Sequence, residues 1–260
     1  MDTFNRLNIY KTIFFNIQSA TEYGDISDFE KADPEKYLTW KQMAEKRYAD
    51  DINQGKSLQT LYTEKACFLP EFSKIIAITY ATPTNGENDD IKRNMRLLKD
   101  ETEPDLIIAF MNALNKEFSE AHNSSPALNL TMCGHNIIGH DIPLLVKRII
   151  KYREPLLTSG NPHIIPPIIK NYLKAKPWES NVFDTVNAWK FNGTDYISLQ
   201  LISDYMGLKY TNRLLSKEEI NKFYWSGIED DKGSTLENIR NQSANYVNLT
   251  IQLVNELRKL

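Results

Sequence analysis

The feature that most constrains this chain is an apolar run close to its amino terminus. Residues Ile9–Ser19 read Ile-Tyr-Lys-Thr-Ile-Phe-Phe-Asn-Ile-Gln-Ser, rich in β-branched and aromatic residues with one charge. Such a run is typical of a strand buried on both faces. Because side chains alternate along a strand, we expect Asn16 and Gln18 on the same side near its carboxyl end. Ligands of open α/β sheets bind at that end of the strands.

The two amides suggest a site from which charge has been removed. Asp and Glu at the positions of Asn16 and Gln18 could bind a divalent metal ion, and Asn and Gln are their uncharged near-isosteres. The local pattern therefore predicts a metal site that lacks its anionic ligands.

Composition sets the class of protein. The 260 residues are 41% hydrophobic and 25% charged, which predicts one large α/β domain covering residues 1–260 without a linker. A net charge of −3 gives no global positive field, so any basic surface must be local. The amino terminus has no signal-peptide layout, no run is long and apolar enough for a membrane, and two cysteines cannot form a disulfide framework. We expect a cytoplasmic protein without a membrane partner.

Periodicity and capping residues predict alternating strands and helices. A polar insertion, about residues 20–70, follows the first strand. The further predicted strands are Phe72–Ala81, Ile91–Leu98, Leu128–Cys133 and Asn181–Thr185, with a turn at Pro83–Asp90. The predicted helices are Pro34–Tyr48, Glu103–Phe118, one that opens at Asp141–Pro143, Ser198–Met206, Ser216–Phe223 and Thr235–Leu260. Pro155–Pro177 is Pro-rich and predicts irregular chain or broken helix.

Basic residues follow Asp141 on its helix. Lys147, Arg148 and Lys151 could form a solvated helix face, which is the usual role of such a run. They could equally form a local phosphate-binding patch, because the run begins within two turns of Asp141. Both interpretations stay open.

Several motifs, in order, resemble a known family. They are Phe72-Ser-Lys-Ile-Ile76, Cys133-Gly-His-Asn136, His140-Asp-Ile-Pro-Leu-Leu145, Lys176-Pro-Trp-Glu179, Phe183-Asp-Thr-Val-Asn-Ala-Trp-Lys-Phe191, Ser198-Leu199 and Phe223-Tyr-Trp225. Their order and spacing are similar to those of the predicted 3′–5′ exonucleases related to the proofreading domain of B-family DNA polymerases, in the DnaQ-like or DEDD superfamily. The resemblance implies a ribonuclease H-like α/β fold, with a mixed sheet of about five strands, helices on both faces and a long insertion after the first strand.

The catalytic motifs of that family are degenerate here. The Asp-X-Glu motif of the first strand falls on Asn16 and Gln18, and the Asp that starts a helix is matched by Asp141. In the last helix, a register anchored on Val247 and Leu253 places Gln242 and Tyr246 at the expected Tyr and Asp, and residues 238–255 contain no Asp or Glu. Three of the four carboxylates are absent. Gln242 and Tyr246 are not isosteres of the expected residues, which favours natural loss over engineering.

The resemblance implies two divalent ions held by four carboxylates, and one retained Asp cannot replace that set. We therefore expect no cofactor, and Mg²⁺ or Mn²⁺ only if activity is retained. Asp184 is a possible substitute ligand, but we expect it to bond backbone at a strand end. His135 and His140 could bind a transition metal, although a His135 that caps the loop and a partly exposed His140 are favoured. Asn136 could form a turn or contact a nucleotide sugar.

The expected function is therefore that of a catalytically degenerate pseudo-exonuclease. It would bind single-stranded nucleic acid or 3′ ends, or a replication protein, through the inherited cleft. One alternative is an active exonuclease that uses substitute ligands. The other is a structural or protein-interaction module on the same fold. Most aromatic residues near the motifs are expected in the core: Trp178, Trp189, Tyr224 and Trp225.

Overall fold

The computed structural model describes residues 7–85, 91–99, 102–124, 130–158, 165–176, 180–191, 193–228 and 230–259. Among these residues, five strands form one mixed sheet in an α/β fold. The strands are β1 (Thr12–Thr21), β2 (Ser73–Asn85), β3 (Ile91–Leu97), β4 (Thr131–Gly134) and β5 (Val182–Asp184). They lie in the order β3-β2-β1-β4-β5, with β2 and β3 antiparallel and β4 parallel to both β1 and β5. This order agrees with the ribonuclease H-like fold expected from the sequence.

Helices occupy most of the chain between the strands. They are α1 (Ile26–Ala32), α2 (Pro34–Arg47), α3 (Ala49–Asn53), α4 (Leu58–Lys65), α5 (Glu103–Ser124), α6 (Ile142–Lys151), α7 (Arg153–Thr158), α8 (Pro167–Lys174), α9 (Thr185–Trp189), α10 (Leu199–Met206), α11 (Lys217–Gly227) and α12 (Lys232–Leu257). Helices α1 to α4 lie in the predicted insertion, and α7 and α8 form the predicted broken helix. No helix in these ranges combines the length and apolarity that a membrane span needs.

The first strand begins three residues later than predicted. Ile9–Lys11 forms a 3₁₀ turn, because the side chain of Asn8 accepts a hydrogen bond from the Tyr10 main-chain N–H at 3.0 Å. From Thr12 onward all ten positions of β1 are buried, so the prediction of a strand covered on both faces is confirmed.

The second strand is longer than predicted. Pro83–Asn85, expected in a turn, belongs to β2, which pairs with β3 as far as Asn85 opposite Ile91. The rest of the predicted turn lies outside the described residues, as does most of the motif that contains Trp178. The sequence placed the end of this strand too early because Pro and Asn are common in turns.

The described chain divides into two compact units. The first unit contains Met1–Ile17, Ala77–Leu214 and Arg240–Leu260, and the second contains Gln18–Ile76 and Leu215–Ile239. The predicted insertion at about residues 20–70 falls within the second unit. Residues 215–239 also belong to this unit, which local sequence patterns do not predict because the contacts that hold them there are distant along the chain.

In the first unit, side chains of the strands and of the last helix pack together in one core cluster. Phe14 of β1 and Cys133 of β4 pack in one cluster with Val247, Ile251 and Val254 of α12. The helical residues recur at three- and four-residue intervals, which places them on one helix face. This packing brings the middle of α12 to the sheet, where it positions the site described below.

The core of the second unit is mainly aromatic. Trp40 lies against Tyr62 and Phe72, with ring centroids 5.4 and 5.2 Å apart, and Phe29 stacks on Tyr62 at 5.2 Å. Helix α2, which carries Trp40, starts at a defined point because the Asp33 side chain accepts the Lys36 N–H. Burial raises the pKa of the Tyr62 phenol, which therefore stays neutral.

Candidate functional site

The retained aspartate lies against the end of the first strand. The Oδ2 atom of Asp141 accepts a hydrogen bond from the main-chain N–H of Ile17 at 3.0 Å. Strand β4 pairs with β1 up to Phe14 opposite Cys133 and ends at Gly134, while β1 continues. The Asp141 carboxylate thus takes the place that a strand carbonyl would occupy. The sequence suggested a helix cap for Asp141, but its side chain makes no capping bond to α6.

The second oxygen of this carboxylate is bonded to a histidine. Nδ1 of His140 donates to Oδ1 of Asp141 at 2.7 Å, and both residues lie at the end of a π-helical turn, Ile137–Asp141. His140 is 5% exposed and Asp141 is 2% exposed. The expectation of a partly exposed His140 is therefore wrong, because the ring is drawn inward by its bond to a buried carboxylate.

The last helix contributes a serine to the same strand end. The hydroxyl of Ser243 lies 3.0 Å from Oδ1 of Asn16 and 3.3 Å from its carbonyl oxygen. Ser243 is fully buried, one turn before Val247 in α12, and it was missed by the sequence analysis. Its position could have been noticed, because Ser243 lies four residues before Val247, on the buried face of the helix, where an apolar residue is expected.

The two residues assigned to this position by sequence register have other contacts. Tyr246 is half-buried and packs against a cluster that includes Leu199 and Leu253. Gln242 donates from its side-chain amide to the carbonyl of Arg213 at 3.2 Å. Ser243, three residues before Tyr246, places its hydroxyl beside the Asn16 side chain.

Asp184 organises the loop after β4. Its carboxylate accepts three main-chain hydrogen bonds of 2.9 Å, from Asn136 and Val186 to Oδ1 and from Ile138 to Oδ2. These bonds agree with the backbone-bonding role expected at a strand end. Burial raises the pKa of Asp184, and the charge of Asp141 adds to the effect, whereas the three N–H donors oppose it.

Asn136 is a turn former in this loop. Its φ is +63°, in the left-handed region that Asn tolerates better than most residues. A Cβ atom at Gly139 would lie 2.4 Å from its side-chain oxygen, so Gly139 permits the tight turn. These observations support the turn-forming role and leave its contact to a nucleotide sugar as a prediction.

His135 is a buried, neutral histidine. Nε2 lies 3.0 Å from the carbonyl oxygen of Ile197, and Nδ1 lies 2.9 Å from the Thr185 hydroxyl. Burial lowers the pKa of His135 to about 4, although the bond to Ile197 and the charge of Asp141 favour protonation. In the neutral ring, Nε2 donates to the carbonyl and Nδ1 accepts from the hydroxyl. His135 thus ties the loop to the segment before α10, as the favoured interpretation predicted.

The predicted basic patch is reduced to two residues. Arg148 is 2% exposed and forms a bidentate ion pair with Glu103, in which Nε lies 2.7 Å from Oε1. Its guanidinium also lies beside Tyr152, whose pKa burial raises to about 12. The assignment of Arg148 to a nucleic-acid surface is therefore wrong, while Lys147 and Lys151 are exposed.

The donor set does not fit a pair of divalent cations. Within the described part of the chain, no three His, Cys, Asp or Glu side chains are grouped so that they could hold a metal ion. Around Ile17, the first unit offers the Asp141 carboxylate and the uncharged oxygen of Asn16. Gln18, the other amide of the strand end, is buried and belongs to the second unit.

The fold and this strand end define an α/β protein of ribonuclease H-like architecture with a hydrogen-bonded site at the carboxyl end of β1. Comparison with protein-family models, with curated proteins and with solved structures finds no match for this chain. A functional assignment therefore depends on the site itself.

Proposed function

We propose that this chain is a 3′–5′ exonuclease-like protein that binds single-stranded nucleic acid ends and has lost metal-dependent hydrolysis. The observation that carries the proposal is the bonding of Asp141. One carboxylate oxygen accepts from the Ile17 main chain and the other from the His140 ring. A carboxylate used in this way closes the end of a strand and has both of its oxygens engaged.

The chemistry of the neighbouring groups supports inactivity. Two divalent ions need several anionic oxygens to offset the loss of their water. Asn16 offers an uncharged oxygen, and the Ser243 hydroxyl already lies 3.0 Å from it. Gln242, at the position where a base was expected, cannot accept a proton. Neither metal activation of water nor its deprotonation is therefore supported by these side chains.

The active-exonuclease alternative requires substitute ligands, for which Asp184 and His140 are the candidates. The Asp184 carboxylate accepts three main-chain N–H groups, and one nitrogen of His140 is bonded to Asp141. These contacts favour the pseudo-exonuclease over the active enzyme. A protein-interaction module, with a replication protein as partner, shares the same fold and is separated from our proposal by a binding experiment.

Two exposed lysines supply the phosphate contacts of the proposal. Lys147 and Lys151 lie four residues apart on α6, and therefore on one face of that helix. The same helix begins directly after Asp141. A nucleic-acid backbone that passes this face would gain two cationic contacts.

The test is the salt dependence of binding to a 5′-labelled single-stranded oligonucleotide with a free 3′ end, followed by fluorescence anisotropy. Changing Lys147→Glu and Lys151→Glu together should reduce the slope of log K against log salt by about 2, or roughly one per lost phosphate contact. The matched control is Lys31→Glu with Lys46→Glu on α1 and α2, which should leave the slope unchanged. Absence of binding at low salt, or an equal loss in the control, would contradict nucleic-acid binding.

Restoring the charge tests the assignment of the strand end. The double change Asn16→Asp and Ser243→Asp should create Mn²⁺ binding detectable by calorimetry, together with a metal-dependent rise in melting temperature. Asn16→Asp with Tyr246→Asp is the matched control and should bind the ion more weakly, because Tyr246 packs elsewhere. Equal Mn²⁺ binding by the two double variants would support the sequence-based register, in which Tyr246 occupies the position of the expected Asp.

A further inference from the structure

Exposed aromatic and apolar side chains are concentrated in one part of the first unit. Of the eleven large hydrophobic residues that are exposed in the described chain, five come from residues 185–213. They are Phe191, Tyr196, Leu201, Tyr205 and Tyr210. Singly exposed hydrophobic residues need no explanation, but such a concentration marks a candidate binding surface.

Three rings of this region form a contiguous group. Trp189 lies 6.0 Å from Phe191 and 6.1 Å from Tyr205, measured between ring centroids. Phe191 is 57% exposed and Tyr205 is 79% exposed. Trp189 is half-buried and packs against the cluster that contains Leu199 and Leu253. The tryptophan is therefore anchored in the unit and supports two rings that face solvent.

The backbone at Phe191 carries a conformational cost. Its φ is +44°, just beyond the end of α9, where Gly or Asn is the usual residue. An aromatic residue in the left-handed region is unfavourable because its Cβ lies close to the backbone. Its ring gains little from burial in return, because it is exposed. A binding role for the Phe191 ring would explain why an exposed aromatic residue is present at a position with a left-handed backbone.

The segment carries a net charge of +1 and so does not repel a polyanionic ligand as the acidic chain as a whole would. The segment 185–213 contains three basic and two acidic residues, whereas the whole chain has a net charge of −3. The basic residues are Lys190, Lys209 and Arg213. One of the acids, Asp204, accepts hydrogen bonds from Tyr210 and Gln200 at 2.6 and 2.8 Å. Basic residues interleaved with exposed aromatic rings are typical of surfaces that bind single-stranded nucleic acid.

The segment is also tied to the loop of the candidate site. His135 bonds to the Ile197 carbonyl, and its ring lies 6.1 Å from that of Tyr196. Asn136 follows His135 directly. Tyr196 and Ile197 thus connect this segment to the loop that follows β4.

We infer that Trp189, Phe191 and Tyr205 form a stacking surface for the unpaired bases of a single-stranded nucleic acid. The inference rests on the proposed function and extends it, because stacking on rings requires bases that are not paired in a duplex. The protein would then recognise the faces of the bases in addition to the charge of the phosphates.

The test compares two strands of equal length and charge, oligothymidylate and a strand of abasic spacers. The wild-type protein should bind oligothymidylate roughly tenfold or more tightly than the abasic strand. The double variant Phe191→Asn with Tyr205→Ser should lose this preference and keep its affinity for the abasic strand. Asn tolerates the left-handed backbone at position 191, so this variant should fold. Phe191→Tyr should retain the preference, and so should Tyr10→Ser, which removes another exposed ring of the first unit.

The outcomes separate the two proposals. Equal binding of both strands by the wild type, or a preference that survives in the double variant, overturns the stacking surface while leaving nucleic-acid binding intact. Binding to neither strand refutes the proposed function and the stacking surface with it. A self-association that the double variant abolishes, without oligonucleotide binding, assigns these rings to a second copy of the chain and also overturns the inference.

Discussion

Asp184 and Asp141 are the two aspartates described as buried, and they are used differently. Asp184 accepts three main-chain N–H groups around the loop after β4. Asp141 accepts one main-chain N–H, from Ile17, and shares its other oxygen with the side chain of His140. One carboxylate is thus bonded to the backbone on both oxygens, whereas the other has a titratable partner.

The difference shows that two buried aspartates of one fold can have different roles. Asp184 is an architectural residue, since its removal would leave three buried or partly buried donors without an acceptor. Asp141 stands at the strand end where a metal ligand would be expected, and it closes the edge of β1. The first role concerns stability alone, while the second also bears on the function that we propose.

The largest expected effect is on Asp184. Changing Asp184→Ala should lower the free energy of unfolding by about 3–5 kcal/mol, because unpaired buried N–H groups each cost about 1–3 kcal/mol. Urea denaturation measures the effect. Asp184→Asn keeps an oxygen for two of the donors and should cost less than half as much. An alanine variant within about 0.5 kcal/mol of wild type would contradict the architectural role.

A second prediction concerns His135, at the start of the loop that Asp184 organises. Its pKa falls from 6.5 to about 4 on folding, so the unfolded chain binds more protons between these values. The contribution of His135 to the free energy of unfolding should therefore be fully present above about pH 6.5. It should decline by about 3 kcal/mol as the pH falls to 4. Denaturation at several pH values gives the slope.

His135→Gln isolates this contribution. The raised pKa of Asp184 acts in the opposite direction, because the folded state then binds the extra proton, but both proteins share that contribution. The difference in unfolding free energy between wild type and variant should shrink toward acid pH. A difference that is constant from pH 7.5 to 4.5 would show that His135 does not titrate as its burial implies.

The sequence predicted the secondary structure better than it predicted the contacts of the candidate site. It identified the strands, the helix that opens after Asp141 and the backbone role of Asp184, because periodicity and capping residues are local signals. It did not predict that Ser243 would contact Asn16, or that Arg148 would pair with Glu103. Those contacts join residues far apart along the chain, which local spacing does not reveal.

A third prediction returns to the other aspartate. Asp141→Ala should lower the free energy of unfolding by about 2 kcal/mol, less than Asp184→Ala, because one main-chain donor loses its acceptor instead of three. Asp141→Asn can still accept from Ile17 and should cost about 1 kcal/mol. Thermal and urea unfolding of the four aspartate variants test the ranking. A larger loss of stability for Asp141→Ala than for Asp184→Ala would contradict the roles assigned to the two aspartates.

The smallest effect is expected at the serine of α12. Ser243→Ala removes a hydroxyl that lies 3.0 Å from Asn16 and should cost about 1 kcal/mol. Asn16→Ala in the same background gives a double-mutant cycle. Additive losses would show that the two side chains do not interact, whereas coupling of about 0.5 kcal/mol or more supports the contact.

The most direct measurement of the central claim is the release of 3′ nucleotides from labelled single-stranded DNA and RNA by the purified protein. With Mg²⁺ or Mn²⁺ present, our account predicts no release above that seen with EDTA, because the metal ions supply both water activation and stabilisation of the leaving oxygen. Release that EDTA abolishes and that Asp141→Ala also abolishes would contradict it. That result would establish an active exonuclease that uses Asp141 together with ligands other than Asn16 and Gln18.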